Sequence, residues 1–291
     1  MLTHKFPAKV LLLGEYTILN GSKALALPFH ELAGEWTFEN NETEFRDSSR
    51  KSLKAFQEKS NASNLDLERM NKDLDEGIWF KSEIPQGFGL GSSGAVIAAI
   101  FDRYGKSQNN LESDKAQLAR LEDFFHGSSS GLDPLVSHIQ KPLLIHSPKE
   151  VEILETRPDL RGFFLLDTGK PRQTGPLVNI YQEKMKDPQF KQGCAEILAK
   201  EVNFAIEAVV KDDSSNLFHH LWHISKFQWD FFPEMIPTKE RGPWARGIES
   251  GDFILKLCGA GGGGFILGYS NKHNIDEMRT ILNNYEIKEL K

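Results

Sequence analysis

The spacing of apolar and polar residues changes along the chain, and each period predicts an element. Residues 9–13, Lys-Val-Leu-Leu-Leu, form a nearly continuous apolar run, the pattern of a buried strand. Short β-like pieces follow at 24–27 and 33–38. Over 48–73 the chain is heavily charged, with apolar residues such as Leu53 and Phe56 at helical spacing. Residues 78–83 predict a strand that stops at Pro85, and a glycine-rich loop covers 87–91. Residues 92–104 open with Ser-Ser-Gly and continue Ala-Val-Ile-Ala-Ala-Ile-Phe, which reads as a serine-capped, buried helix. A further helix is expected from about 111 to 125.

In the second half, 151–155 and 162–167 read as strands. From 175 to 250 the pattern is mainly helical, with breaks near Pro188, Asp212, Pro233 and Pro237. The stretch Phe218 to Trp229, although rich in histidine, reads as a core helix with its polar histidines outward. The chain closes with a strand at 252–257, a glycine-rich loop at 259–264, a strand at 265–269 and a helix at 274–284. Strands and helices mix without strict βαβ alternation, so the expected class is α+β, in two lobes meeting near residue 150 (1–150 and 151–291).

Composition narrows the function classes. The 291 residues are 39% hydrophobic and 26% charged, with a net charge of −6. No basic stripe marks a nucleic-acid surface. An acidic chain that binds an anion must concentrate positive potential locally, from backbone N–H groups and a few placed cations. The two cysteines, Cys194 and Cys258, fit a reduced compartment better than a disulfide framework. The N-terminus has no apolar signal core, and no run approaches the roughly 18 apolar residues that span a bilayer. The expectation is a cytoplasmic protein, monomer or homodimer, without nucleic-acid or membrane partners.

Candidate chemistry begins with Pro85-Gln-Gly-Phe-Gly-Leu-Gly-Ser-Ser-Gly94, set between an expected strand and helix. Glycines let the backbone turn tightly and bring bare N–H groups near a ligand. The following helix aims its N-terminal amides and dipole at the same spot, and Ser92 and Ser93 add hydroxyls for phosphate or magnesium. The bland alternative is a flexible turn before a serine cap. Gly89, Gly91 and Gly94 match G-x-G-x-x-G, but a dinucleotide fold places that pattern early, in a βαβ unit. The protein-kinase form lacks its V-A-I-K, H-R-D and D-F-G companions, and the Walker form is absent.

Three more segments matter. Pro7-Ala-Lys9-Val-Leu-Leu-Leu-Gly14-Glu15-Tyr16 heads a strand with a lysine, either a solvated end residue or an ammonium facing an anionic substrate. In Glu122-Asp-Phe-Phe-His126-Gly-Ser-Ser-Ser130-Gly-Leu-Asp133-Pro134, Asp133 either caps the next element or accepts a hydroxyl proton, and His126 reads as a structural helix-end residue. Lys256-Leu-Cys-Gly259-Ala-Gly-Gly-Gly-Gly264-Phe265 has more glycine than a hairpin needs, which points to close backbone approach to a ligand or another loop.

Together, the 85–94 loop and the segments at 7–16 and 256–265 resemble the three signature motifs of the GHMP kinase superfamily, in that family's order. The resemblance implies a ribosomal-S5-like N-terminal lobe and a ferredoxin-like C-terminal lobe, with ATP and Mg²⁺ as cofactors. Within the superfamily, the stretches around Asp133 and at 9–16, and Asp167-Thr-Gly-Lys170-Pro-Arg172-Gln-Thr174, resemble mevalonate kinases. By that resemblance Asp133 takes the proton of the acceptor hydroxyl, while Lys9 lowers its pKa and steadies the charge. Gly87, Gly89, Leu90, Gly91, Ser92, Ser93 and Gly94 wrap the ATP phosphates, with Gly261 and Gly262 closing on them. Ser93 and Glu122 hold Mg²⁺, and Lys9, Glu15, Tyr16, Asp133 and Thr174 contact the acceptor. Tyr16 stands where mevalonate kinases often carry His, and phosphomevalonate kinases can show Gly-Glu-Tyr. A phosphorylated acceptor would also want the cations of Lys170 and Arg172. Mevalonate is therefore the leading acceptor, with phosphomevalonate, a non-catalytic metabolite-binding protein and an ATP-dependent decarboxylase as the other readings.

Overall fold

The apolar run near the N-terminus builds β1 (Lys5–Leu13), which is buried along nearly its whole length. A computed structural model describes residues 4–39, 43–59, 64–127 and 129–291, with the side chain of His126 outside the description. By its internal contacts the chain forms two units. One comprises Met1–Val10, Leu27–Gln86 and Leu90–Lys141, and the other Leu11–Ala26, Gly87–Gly89 and Pro142–Lys291.

Strand β2 (Ala24–Thr37) is a single 14-residue strand, where the sequence pattern predicts two short pieces. Pro28 suggests a break because it lacks an N–H for the ladder. In the structure it falls between residues 24–26, which pair with a later strand, and residues 34–37, which pair with β3, and the strand runs through it unbroken.

The charged region folds as two helices, α1 (Glu44–Lys59) and α2 (Leu67–Asp75), the second capped by the Asp66 carboxylate, which accepts from the Arg69 N–H at 3.0 Å. Strand β3 (Trp79–Ser82) follows. Helix α3 (Ser92–Tyr104) buries almost every side chain, as its small and apolar composition predicts. Its cap is Gly91 in the left-handed region, and no serine hydroxyl caps it, which corrects the expected serine cap. In the core around α3 the Trp36 indole donates to the Ala99 carbonyl at 3.2 Å. Asp73, Arg103 and the Tyr104 hydroxyl form a nearly buried cluster with an ion pair of 2.6 Å. Helices α4 (Leu111–His126) and α5 (Leu132–Ile139) complete this unit, and both pack on α3.

The other unit pairs residues 24–26 with β4 (Leu143–Ser147), which in turn pairs with β5 (Glu150–Ile153). After β6 (Phe163–Asp167) come α6 (Thr174–Lys184), α7 (Pro188–Gly193), a π-helical turn over Cys194–Leu198, α8 (Ala199–Val210), α9 (Ser214–Phe231) and α10 (Arg241–Ser250). The breaks fall where Pro188, Asp212, Pro233 and Pro237 predict them. Strands β7 (Phe253–Leu257) and β8 (Phe265–Ser270), helix α11 (Ile275–Ile281) and β9 (Ile287–Glu289) close the chain. The antiparallel sheet order β7-β8-β6-β9 is that of a ferredoxin-like β-α-β-β-α-β unit. Helix α9 packs on α8 and β7 through Leu217, Leu221, Ile224 and Phe227, while His219 is exposed and His220 and His223 are half-buried. Cys194 and Cys258 are buried and form no disulfide, and burial pushes the Cys194 thiol up to about 11.

Across this sheet Phe164 sits opposite Gly268. A Cβ at 268 would stand 2.1 Å from the Phe164 ring, and Phe164 is fully buried. Gly268→Ala is therefore expected to destabilise the protein by about 1–3 kcal/mol through overpacking. Denaturant unfolding measures it, and an unchanged midpoint would contradict this account of the sheet.

Candidate active site

Lys9 lies on β1 with its backbone N–H donated to the Leu90 carbonyl at 2.8 Å, which draws the strand to the end of the glycine-rich loop. Its ammonium reaches Asp133, on the first turn of α5, at 2.8 Å; the lysine side chain is 10% exposed and the aspartate 38%. Helix α5 is capped by Gly131 in the left-handed region, so Asp133 is not the cap and its carboxylate belongs to the ion pair. Gly91, at φ +69°, passes directly over this pair: a Cβ there would lie 3.3 Å from Asp133 Oδ2 and 3.4 Å from Lys9 Cβ. A Cβ at Gly94 would meet the backbone of Asp133 and Pro134 at 2.9 Å, so the first turn of α3 is seated on the start of α5. One small region thus holds a partly exposed carboxylate, an ammonium and the positive end of a buried helix.

Glu122 on α4 is 4% exposed. Its Oε1 accepts from the Ser93 hydroxyl at 3.2 Å, and its Oε2 accepts from the Ser129 hydroxyl. Ser129 also takes the Gly131 N–H at 2.9 Å, which ties this buried carboxylate to the turn ahead of Asp133. A hydroxyl and a carboxylate side by side are hard oxygen donors of the kind Mg²⁺ takes from a protein, the ion drawing its other ligands from water and phosphate. Among the described residues no three His, Cys, Asp or Glu side chains converge as a self-sufficient metal cage.

The other unit holds the first-motif turn and the third-motif loop. Gly14 adopts φ +105°, and a Cβ there would lie 2.3 Å from Ala24 Cβ. Tyr16 adopts φ +63°, a region that residues with a side chain seldom occupy. Glu15 is 5% exposed and paired with Lys256, and the Gln228 amide donates to it at 3.3 Å. Lys256 also donates to the Leu12 and Leu257 carbonyls at 3.1 and 2.6 Å. The Tyr16 hydroxyl donates to the Ala260 carbonyl at 2.8 Å, and burial raises its pKa, which keeps it a neutral donor.

The Arg172 guanidinium donates to the Cys258 carbonyl at 2.6 Å, and its backbone N–H to the Gly87 carbonyl at 2.8 Å. Gly264 donates to the Lys170 carbonyl at 2.7 Å, and a Cβ on Gly264 would lie 2.5 Å from the Phe88 carbonyl oxygen. Residues 87–89, 168–172 and 259–264 therefore interlock through their backbones, and the glycines are required by that approach. Gly262 donates its N–H to the Met235 carbonyl at 2.7 Å, while Gly261 and Gly263 have no protein acceptor among the described residues. Thr174 is exposed at the start of α6, the helix whose Tyr181 ring lies 4.5 Å from that of Tyr16.

The structure thus brings Lys9 and Asp133 together with Leu90, Gly91 and Gly94, and Ser93 with Glu122. It places Glu15 on Lys256 and Gln228, ahead of the third-motif loop, and the Tyr16 hydroxyl on the loop at Ala260. Sequence reasoning assigned no role to Lys256, Gln228 or Ser129 and considered Arg172 only as a cation for a phosphorylated acceptor. The available signal was Lys256 itself, a charge inside an otherwise apolar strand, which must find a partner when buried.

Residues 49–138 match the family described as GHMP kinases N terminal domain. A mevalonate kinase of Pyrococcus abyssi is 26% identical over 291 residues, covering 89% of this chain and 85% of the relative. The crystal structure of the Methanococcus jannaschii mevalonate kinase superposes with a TM-score of 0.65 at 18% identity, over 99% of this chain and 98% of that one. The Streptococcus pneumoniae phosphomevalonate kinase, in complex with phosphomevalonate and AMPPNP, superposes with a TM-score of 0.65 at 16% identity over 100% of both chains. The fold is that of the GHMP kinases, as the three sequence motifs predict, and the fold likeness is equal for the two acceptor types.

Proposed function

We propose that this chain, a small-molecule kinase of the GHMP fold, transfers the γ-phosphoryl group of ATP to the hydroxyl of mevalonate. The observation that carries the reading is the Lys9–Asp133 pair lying against Gly91 at the head of α3. A partly exposed carboxylate is placed to accept the hydroxyl proton, and the neighbouring ammonium steadies the oxygen as its charge develops. The acceptor oxygen attacks the γ-phosphorus, the bond to the β-bridging oxygen breaks, the proton passes to Asp133 and ADP leaves. Phosphoryl transfer asks for positioning and charge stabilisation more than covalent work, and these parts suit it.

In this reading the amides of residues 87–94 and the glycine loop around Gly261 receive the phosphates. Ser93 and Glu122 hold Mg²⁺, which neutralises phosphate charge when bound. Thr174 serves the acceptor. The reaction takes place in the cytoplasm, consistent with two cysteines that form no disulfide.

The phosphomevalonate reading rests on Tyr16 and on the equal fold likeness. Arg172 donates one of its guanidinium N–H groups to the Cys258 carbonyl, while its Nε is buried without a partner among the described residues, so its contacts do not separate the two acceptors. The curated relatives that match over most of the chain are mevalonate kinases.

Three outcomes test the assignment. ADP release with mevalonate, phosphomevalonate, homoserine and galactose should show turnover with mevalonate alone. Turnover confined to phosphomevalonate would transfer the activity to that acceptor, and carbon dioxide release from the diphosphorylated acid would mark a decarboxylase. Asp133→Asn should lower kcat by roughly 10²–10⁴-fold with nucleotide affinity unchanged, and near wild-type turnover would remove Asp133 from the mechanism. Glu122→Gln should raise the Mg²⁺ concentration for half-maximal activity, and an identical titration curve would count against the metal role.

A further inference from the structure

The buried charges of the second unit point to a role that the motif resemblance does not give them. Lys256 has three ammonium protons and three acceptors: Leu12 at the end of β1, Leu257 at the end of β7, and the Glu15 carboxylate. The Lys256 side chain is 3% exposed and that of Glu15 4%. Gln228 on α9 joins them, donating to Glu15 and accepting the Leu257 N–H at 2.8 Å. These contacts fix where the chain leaves β7, immediately ahead of the glycine loop.

The loop is held again at Ala260 by the Tyr16 hydroxyl, at 2.8 Å. Tyr16 reaches Ala260 from a positive-φ backbone (φ +63°, ψ −42°), a conformation that costs on the order of 1–3 kcal/mol unless its surroundings impose it. Those surroundings are the rings of Tyr181 at 4.5 Å and Phe232 at 5.7 Å. Glycine-rich backbone has little stiffness of its own. Without such ties, amides that must meet a phosphate would be ordered only when the nucleotide binds, at a cost to affinity.

We propose that Glu15, Lys256 and Tyr16 are positioning residues that lock the 259–264 loop for the nucleotide, and that Glu15 and Tyr16 do not contact the acceptor. The competing arrangement has one point in its favour: Glu15 Oε2 is buried without a partner among the described residues, so an acceptor hydroxyl donating to it would satisfy that oxygen. The two arrangements differ in which ligand feels the mutation.

The kinetic arm rests on the kinase reading, and the binding arm does not. Tyr16→Phe keeps the ring and removes only the hydroxyl. Calorimetric titration of the full chain with Mg²⁺ and a non-hydrolysable ATP analogue, without acceptor, should show affinity reduced about two- to tenfold, the size of one hydrogen bond. KM for ATP should rise by the same factor and KM for the acceptor should stay unchanged. Unchanged nucleotide affinity, or a rise in acceptor KM alone, overturns the proposal. The paired variant Glu15→Met/Lys256→Met replaces the buried ion pair by apolar side chains of similar size, an exchange that proteins often accept without loss of stability. It should fold and bind the analogue at least as weakly as Tyr16→Phe, and wild-type affinity in the folded double variant would overturn the proposal. If the double variant does not fold, Tyr16→Phe decides alone. Absence of turnover with every acceptor would defeat the mevalonate reading and leave the binding result standing.

Discussion

The ammonium of Lys9 held 2.8 Å from the carboxylate of Asp133 is the contact on which the chemistry proposed for the first unit depends. Each partner is placed by a different part of the chain. Lys9 is fixed by the Leu90 carbonyl, and Asp133 by a helix whose first turn is pressed against Gly94. Gly91 and Gly94 are the residues that let α3 arrive there, since a Cβ at 94 would run into the backbone of residues 133 and 134. An acidic protein that binds a polyanion must concentrate positive potential locally, and in the proposed reading the start of α3 and the Lys9 ammonium supply it.

Much of this was legible from spacing alone. The buried character of β1, the extent of α3 and α4, the helical run broken at prolines, and the strand–glycine loop–strand at the end all follow from period and punctuation. The closeness of Lys9 and Asp133 to Gly91 does not follow from spacing; it is an expectation of the family resemblance. Less legible were the features set by tertiary contact. The pieces expected at 24–27 and 33–38 are one continuous strand, joined because different stretches of it pair with β4 and β3. Ser92 and Ser93 looked like helix caps, but Gly91 does that work and frees the Ser93 hydroxyl for Glu122. The strand Ile287–Glu289 carried too few residues to register as a period, and Leu143–Ser147 escaped sequence reasoning although it is as long as Phe163–Asp167.

The glycine loops show why composition can announce a site without giving its construction. Four consecutive glycines suggested close approach to a ligand or another loop, and both halves of that suggestion have a place. Gly264 is forced by the Phe88 carbonyl and Gly262 is tied to Met235, so much of the run is shaped by protein. The interlocking of 87–89 with 168–172 makes the first loop's shape depend on Arg172, a dependence no local pattern reveals.

The two lysine–carboxylate pairs separate chemistry from support by exposure. Lys9–Asp133 leaves the aspartate 38% exposed, and a base must be reachable by the proton it takes. Lys256–Glu15 is shut away at 3% and 4%, with every lysine proton already committed. A buried pair of this kind contributes little net stability, because desolvation offsets the attraction. Its retention is better explained by what it fixes: the register of Leu12, Leu257 and the turn at Glu15, from which the glycine loop departs. The sequence motifs assign a role to Lys9 and none to Lys256, and the surroundings of each are what support the proposal that one serves the reaction and the other the frame of the 259–264 loop.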